Sequence, residues 1–152
     1  MKYGFIGCGN MGGAIAKALS KSTTDIALAD RSGKGKILAA ELGISYSDNA
    51  SIAVSCDRIF LGVKPQVMAD VLAPLRPYFE KNKPLVVSMA AGITVEKIEN
   101  LIGTSLPVIR IMPNTPVSVG KGMTLWCAND IVFDDQKRAF RNLMSESGRV
   151  DE

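Results

Sequence analysis

The sequence predicts an α/β fold, a doubly wound and mostly parallel sheet with helices on both faces. Short apolar runs alternate with segments of helical periodicity, as in parallel sheets covered by helices. Several runs, including Ile59-Phe60-Leu61 and Leu85-Val86-Val87, are continuous rather than alternating, which indicates strands buried on both faces. The first apolar run leads directly into a glycine-rich turn and a helical segment. Together these observations predict a fold of the Rossmann type.

The boundaries of the elements follow from the apolar runs and from residues that begin or end helices. Gly43 and Gly103 each follow a helical segment, Pro65 suits a first helical turn, and Thr94 suits an N-cap. We predict strands at Lys2–Ile6, Asp25–Asp30, Arg58–Val63, Leu85–Met89, Val108–Met112 and Lys121–Ala128, with a weaker one at Ile44–Tyr46. We predict helices over Met11–Ser22, Lys34–Leu42, Asn49–Ser55, Gln66–Tyr78, Thr94–Ile102 and Asp134–Glu146.

The composition is that of an ordinary globular domain with one core. The chain has 152 residues, of which 47% are hydrophobic and 22% charged, with a formal net charge of +3. The basic residues form no long run, so we expect no nucleic-acid partner. No stretch reaches the roughly 20 apolar residues of a membrane helix, so we expect no membrane partner. The N-terminus enters a strand after two residues rather than resembling a signal peptide, which favours a cytoplasmic protein.

Cysteine and histidine usage narrows the chemistry further. Cys8, Cys56 and Cys127 are far apart and form no C-x-x-C pair, so we expect neither disulfides nor a metal site. The chain has no histidine, which excludes Ser-His-Asp hydrolysis. Because no histidine can activate it, we interpret Cys8 as a small residue between two glycines rather than as a nucleophile.

The most informative segment is Gly7-Cys8-Gly9-Asn10-Met11-Gly12, which has the G-x-G-x-x-G pattern between a strand and a helix. In this context Gly7 allows a tight turn, Gly9 lets the backbone approach a pyrophosphate, and Gly12 permits close packing of helix and strand. The N–H groups at the start of the helix would then hold phosphates. The alternative is a purely structural turn. We predict a dinucleotide-binding domain over residues 1–148.

The end of the second strand bears on the choice of cofactor. Asp30 stands about 20 residues after the glycine motif, where an acid would bind the ribose 2′-OH of NAD. The residues that follow suit the 2′-phosphate of NADP; they are Arg31, Ser32, Lys34 and Lys36. Asp30 would repel that phosphate unless its side chain points toward the sheet or into a salt bridge. The alternative is that these cations belong to a solvated loop. NADP(H) is favoured, and NAD(H) remains open.

Four segments occur along the chain in this order: Phe5–Gly12, Gly62-Val63-Lys64-Pro65-Gln66, Ser88-Met89-Ala90-Ala91-Gly92-Ile93 and Arg110-Ile111-Met112-Pro113-Asn114-Thr115-Pro116. Together these segments resemble the pyrroline-5-carboxylate reductase family, which catalyses the last step of proline biosynthesis. The resemblance extends from Lys2 to about Gly148 and corresponds to the N-terminal domain of that family. It implies an oxidoreductase that transfers hydride from NADPH or NADH to the C=N bond of 1-pyrroline-5-carboxylate, giving proline.

The resemblance also implies roles for individual residues. The pyrophosphate would lie on the loop formed by Ile6, Gly7, Cys8, Gly9, Asn10 and Met11. Arg31, with Ser32 beside it, would meet the adenosine phosphate, and Asn49 the adenosine ribose. The path toward nicotinamide would be lined by Val63, Lys64, Pro65 and Ala91. Arg110 and Asn114 would orient the nicotinamide amide or the substrate. The alternatives are a surface role for Lys64, close packing at Ala91, and an ion pair for Arg110.

Members of that family continue into a helical C-terminal domain that forms the dimer or larger assembly and binds the substrate carboxylate. This sequence stops near the start of that domain, so we expect a cofactor-binding fragment that is inactive alone, with the catalytic residues elsewhere. The complete protein would be a homo-oligomer, and apolar surface around Pro113–Val119 and the final helix would be exposed here. Met112 and Met123 are expected as core filler. Alternatives are another reductase of the 6-phosphogluconate or β-hydroxyacid dehydrogenase type, or a non-catalytic dinucleotide-binding module.

Overall fold

One eight-stranded sheet organises the chain, and the computed structural model describes all residues from 1 to 152. Its strands are β1 (Tyr3–Ile6), β2 (Ile26–Ala29), β3 (Ser45–Tyr46), β4 (Arg58–Leu61), β5 (Leu85–Ser88), β6 (Val108–Pro113), β7 (Gly122–Ala128) and β8 (Gly148–Asp151). Their order across the sheet is β3-β2-β1-β4-β5-β6-β7-β8. Every pairing is parallel except the antiparallel β6–β7 pair. The predicted doubly wound, mostly parallel sheet is confirmed.

Seven helices cover the two faces of the sheet. They are α1 (Asn10–Leu19), α2 (Lys34–Leu42), α3 (Asn49–Ser55), α4 (Pro65–Leu72), α5 (Arg76–Asn82), α6 (Val95–Ile102) and α7 (Asp134–Met144). One core lies under α1, α2 and α7 and contains the stacked rings of Phe5 and Phe60, whose centroids are 4.6 Å apart. The other core lies under α3 to α6. Each fully buried Phe or Ile contributes about 1.5–3 kcal/mol to these cores.

The predicted helix ends are confirmed where the signal is a cap. Thr94 caps α6, because its hydroxyl accepts a hydrogen bond from the Lys97 N–H at 3.1 Å. Gly43 and Gly103 end α2 and α6 with φ of +67° and +77°, the left-handed conformation that glycine adopts without strain. Pro65 is the first residue of α4, where its missing N–H has no intrahelical partner to lose.

The single helix predicted over Gln66–Tyr78 is wrong, because the structure has two helices there. α4 ends at Leu72, a 3-10 turn covers Ala73–Leu75, and α5 begins at Arg76. Pro74 and Pro77 explain the division. Each lacks the N–H that a continuous helix would use, and each ring would clash with the carbonyl four residues earlier.

Two further elements were not predicted. Thr115–Val119 forms a 3-10 turn, and β8 adds an edge strand beyond β7. The sequence of β8 is Gly-Arg-Val-Asp, which lacks the apolar run of the central strands. Its pairing depends instead on close approach to β7, where a Cβ atom at Gly148 would overlap the backbone of Gly122. No helix has the length and apolar character needed to span a bilayer.

Part of the sheet carries no helix on one side. Met112 on β6 pairs with Leu125 on β7, and Met123 lies on the same face; the three side chains are 59%, 46% and 38% exposed. On the opposite face Trp126 packs against Phe140 in the core. The prediction of Met112 and Met123 as core filler is therefore wrong. We call Met112, Met123 and Leu125 the open face.

Candidate functional site

The carboxyl ends of β1 and β4 and the first turn of α1 meet at three glycines, Gly7, Gly12 and Gly62. Gly7 has φ of +93°, as its predicted tight turn requires. A Cβ atom at Gly12 or at Gly62 would lie 2.5 Å from the Gly7 carbonyl oxygen, well inside van der Waals contact. The Gly62 N–H donates to the Ile6 carbonyl at 2.8 Å and ties the two strands together. We call these three residues the glycine junction. The role of Gly62 in it was not predicted, although a glycine directly after a buried strand was a signal for such close packing.

Gly9 differs from the junction glycines because the fold does not require it. It is the N-cap of α1 with φ of −70°, and a Cβ atom built there would have no neighbour within 4 Å. No side chain caps the helix, so its first N–H groups remain open to a ligand. Open space beside the N–H groups of a ten-residue helix suits a phosphate that approaches the backbone closely.

The side chains of Ile6 and Cys8 are buried within this loop and offer a ligand only backbone groups. Cys8 is 5% exposed, and its sulfur lies 3.8 Å from the Ala29 carbonyl oxygen. Burial, reinforced by the charge of Asp30, raises the pKa of the Cys8 thiol to about 12. The thiol is therefore neutral at physiological pH, in agreement with its interpretation as a structural residue. No group of three or more Cys, Asp or Glu side chains is placed to hold a metal ion.

A cleft of about 980 Å³ lies between the carboxyl end of β2 and the helices α3 and α4. Arg31 and Asn49 both line it, so the structure brings these two predicted residues together. Its apolar lining comes from α4 and the turn after it: Val67, Val71, Pro74 and Leu75. Asp48, also in the lining, caps α3, and hydrogen bonding from Ser51 holds its pKa below the usual range. The cleft can hold a flat apolar group with an anion near Arg31.

The predicted cluster of cations is not brought together in one cavity. Lys34 does not line the cleft of Arg31; it lines a separate pocket of about 480 Å³ that also includes Gly9, Asn10, Met11 and Lys17. Lys36 lines neither cavity. Of the predicted basic residues, Arg31 alone contributes to the larger cleft.

The segment that connects β2 to α2 is held by its own acid. The Asp30 carboxylate accepts hydrogen bonds from the Ser32 hydroxyl and from the Gly35 N–H, both at 2.9 Å. The Tyr46 hydroxyl on β3 donates to the Asp30 carbonyl oxygen at 3.0 Å. Asp30 therefore forms no salt bridge, and its side chain is turned into its own loop. The contribution of Tyr46 was not predicted, because nothing in the local sequence indicates it.

The remaining predicted residues lie at the carboxyl ends of β4, β5 and β6, on the same edge as the glycine junction. Val63 is half-buried, and the exposed Lys64 and Pro65 begin α4. Ala91 is exposed in the turn after β5. The Asn114 side-chain oxygen accepts a hydrogen bond from the Met123 N–H at 2.9 Å, which leaves its NH₂ group for a ligand.

Arg110 lies within β6 rather than at this edge. It is half-buried beside the open face, its Nε atom has no hydrogen-bond partner, and no carboxylate forms a salt bridge with it. The alternative of an ion pair for Arg110 is therefore wrong.

The strand order β3-β2-β1-β4-β5-β6, with a glycine turn after the central strand β1, defines a Rossmann-type α/β protein. Residues 2–92 match the family described as "NADP oxidoreductase coenzyme F420-dependent". The match covers more than half of the chain, and the chain belongs to that family.

Similar proteins carry a more specific name. The chain is 38% identical over 154 residues to the pyrroline-5-carboxylate reductase of Vibrio alginolyticus, covering 98% of this chain and 56% of that protein. The structure of a pyrroline-5-carboxylate reductase from Coxiella burnetii superposes with a TM-score of 0.91 at 33% identity, covering 99% of this chain and 57% of that one. A Plasmodium falciparum pyrroline carboxylate reductase with NADP bound gives 0.86 at 28% identity, covering 100% and 57%. The chain thus spans little more than half the length of these relatives.

Proposed function

We propose that this chain is the NADP(H)-binding part of a pyrroline-5-carboxylate reductase, an enzyme that reduces the C=N bond of 1-pyrroline-5-carboxylate to give proline. The observation that carries the proposal is the uncapped start of α1 at Gly9, where a Cβ atom would have no neighbour within 4 Å, on the same edge of the sheet as the cleft that Arg31 lines. Similarity to reductases of this name over almost the whole chain supports the choice of substrate.

Each part of the cofactor has a place on the carboxyl edge of the sheet. The backbone from Ile6 to Met11 would hold the pyrophosphate, with Gly9 providing the close approach. Asn49 would meet the adenosine ribose inside the larger cleft. The nicotinamide ring would lie along Val63, Lys64, Pro65 and Ala91. The NH₂ group of Asn114 would face it from the same edge of the sheet.

The preference for NADPH over NADH follows from Arg31. Its exposed guanidinium lines the cleft and forms no salt bridge with any acid of the chain. A guanidinium can bind phosphate oxygens through two parallel hydrogen bonds, which a ribose hydroxyl does not offer. The NADP-bound relative from Plasmodium supports the same choice.

Catalysis by this chain consists of binding and orientation. Bound NADPH would supply the hydride. The exposed Ala91 and the buried Ala90 present a small, flat surface on which a ring can be held against backbone. The chain has no histidine that could donate a proton to the substrate. We propose that residues 1–148 act as one dinucleotide-binding domain and that substrate binding requires the part of the relatives that this chain does not span.

Calorimetric titration of the chain with NADPH and NADH tests the proposal. We expect NADPH to bind at least about 10-fold more tightly, since a hydrogen bond to a charged group contributes roughly 1.5–3 kcal/mol. The same preparation, mixed with pyrroline-5-carboxylate and NADPH, is expected to form no proline. If neither nucleotide bound, the proposed cofactor binding would be contradicted. If the chain formed proline at a rate typical of enzymes, the proposal that substrate binding requires a further part of the relatives would be contradicted.

We further propose that the protein acts in the cytoplasm as a homo-oligomer. All three cysteines are free thiols, as in a reducing compartment. The open face supports self-association, since contiguous apolar surface of this kind marks interaction sites.

Replacement of Leu125 by lysine is expected to lower the average molecular mass measured by light scattering at high protein concentration, because the charge disrupts the open face. Ile37→Lys on α2 is the control, since Ile37 is 64% exposed but lies outside the open face. A wild-type chain that is monomeric at every concentration would contradict self-association. An equal loss of mass in both variants would contradict the role of the open face.

A further inference from the structure

The orientation of Asp30 is opposite to the one that an acid at the end of the second strand usually has. In NAD-binding proteins of this fold such an acid hydrogen-bonds the ribose 2′-OH. Here one carboxylate oxygen of Asp30 accepts from both Ser32 and Gly35, and the other lies 3.4 Å from the Tyr46 hydroxyl. The chain's own donors therefore bind one carboxylate oxygen of Asp30 and hold the carboxylate against its own loop.

Tyr46 connects this loop to the neighbouring strand. Its hydroxyl lies 3.0 Å from the Asp30 carbonyl and 3.4 Å from the carboxylate, so its single proton is shared toward the nearer oxygen. Tyr46 and Arg31 line the same cleft. The hydrogen bond between Tyr46 and Asp30 thus lies on the side of the cleft that faces the proposed adenosine site.

Arg31 stands between the two residues that these bonds hold. Asp30 is fixed by Gly35 and Tyr46, and Ser32 is fixed because its hydroxyl donates to Asp30 and accepts from the Lys34 N–H at 3.3 Å. Arg31 itself has no such partner, and its guanidinium remains exposed. Holding the backbone on both sides of a binding side chain reduces the conformational entropy that a ligand must otherwise remove.

We propose that Asp30 and Tyr46 are positioning residues for NADPH preference: they hold the Arg31 segment toward the cleft, and Asp30 does not bind the ribose. The inference rests on the proposed function, because it concerns the same cofactor site. It assigns a structural role to the acid that otherwise suggests NAD.

The test is calorimetric measurement of NADPH and NADH affinity for the full chain and for Tyr46→Phe and Asp30→Asn. Tyr46→Phe removes one hydroxyl and leaves every charge in place, so it reports on positioning alone. We expect NADPH affinity to fall about 10-fold in each variant, which is the effect of losing one hydrogen bond to the loop. NADH affinity should change less than about 3-fold. Tyr78→Phe is the matched control, because Tyr78 is an exposed tyrosine outside the cleft.

A double-mutant cycle separates positioning through Arg31 from other effects. In an Arg31→Ala background, neither Tyr46→Phe nor Asp30→Asn is expected to lower NADPH affinity further. Melting temperatures are recorded for every variant. If Asp30→Asn fails to fold, the Tyr46→Phe cycle still decides the question.

Four results would overturn the inference. Loss of NADH affinity in Asp30→Asn would mean that Asp30 binds the ribose directly. A gain of NADPH affinity in Asp30→Asn would mean that its charge only repels the phosphate. Equal losses for both nucleotides would mean that the loop bonds serve the fold and not the choice of cofactor. A wild-type chain that bound neither nucleotide would overturn the proposed function itself, whereas normal wild-type preference with unchanged variants would overturn this inference alone.

Discussion

Replacement of Gly9 by alanine is expected to reduce NADPH affinity about 100-fold while leaving the melting temperature unchanged. The magnitude corresponds to loss of two charge-assisted hydrogen bonds of about 1.5 kcal/mol each. The added methyl group would occupy the space through which a pyrophosphate reaches the N–H groups of α1, but it would touch no atom of the protein within 4 Å. Calorimetric titration gives the affinity, and thermal unfolding without nucleotide gives the stability.

Gly13→Ala is the control for this variant. Gly13 lines the same pocket as Gly9, but its N–H already donates to the Gly9 carbonyl at 2.9 Å and is not free to bind a phosphate. A Cβ atom at Gly13 would make an ordinary contact of 3.4 Å with the Leu38 side chain. Its NADPH affinity should equal that of the wild type. Wild-type affinity in Gly9→Ala would mean that the phosphates do not approach the backbone at this turn, whatever the sequence pattern indicates.

The second large effect is on stability, and Gly62 is its site. Gly62→Ala is expected to lower the free energy of unfolding by about 1–3 kcal/mol, the usual cost of overpacking. The new Cβ atom would lie 2.5 Å from the Gly7 carbonyl oxygen and 3.4 Å from the Gly12 Cα atom, and both are backbone atoms that cannot move independently. Urea denaturation measures the change, and for a domain of this size each 1 kcal/mol corresponds to roughly 2–4 °C in Tm.

Gly9→Ala serves as the stability control for Gly62→Ala, because it adds the same methyl group where no neighbour is close. Gly9→Ala should therefore lose cofactor affinity and keep its stability, whereas Gly62→Ala should lose stability. If Gly62→Ala unfolded at the wild-type urea concentration, β1, α1 and β4 would not be in the close contact that defines the glycine junction.

Local chemistry predicted the elements that have local causes. α2 and α3 begin and end at the predicted residues, since glycine, an N-cap and helical periodicity all lie within the segment itself. The central strands were predicted to within about two residues, because continuous apolar runs need burial on both faces. Pro74 indicated that the helix divides, but the single helix was predicted from the apolar periodicity that continues across it.

Tertiary neighbours decided what the sequence could not predict. Met112 and Met123 are apolar like core residues, and only the sheet geometry leaves them without a covering helix. Arg31 and Lys34 are three positions apart in the sequence but line different cavities. The orientation of Asp30 depends on Tyr46, which comes from another strand.

The position of β1 has a consequence for how the protein is made. β1 is synthesised before β2 and β4, yet it lies between them, and the glycine junction joins Gly7 and Gly12 to Gly62. Contacts between residues so far apart in sequence form slowly, because a long loop must close, at a cost in entropy, before the contacts can stabilise the fold. The glycine junction therefore takes its shape only after β4 has emerged and docked. Cofactor would stabilise the finished sheet by mass action and leave the earlier steps of folding unassisted.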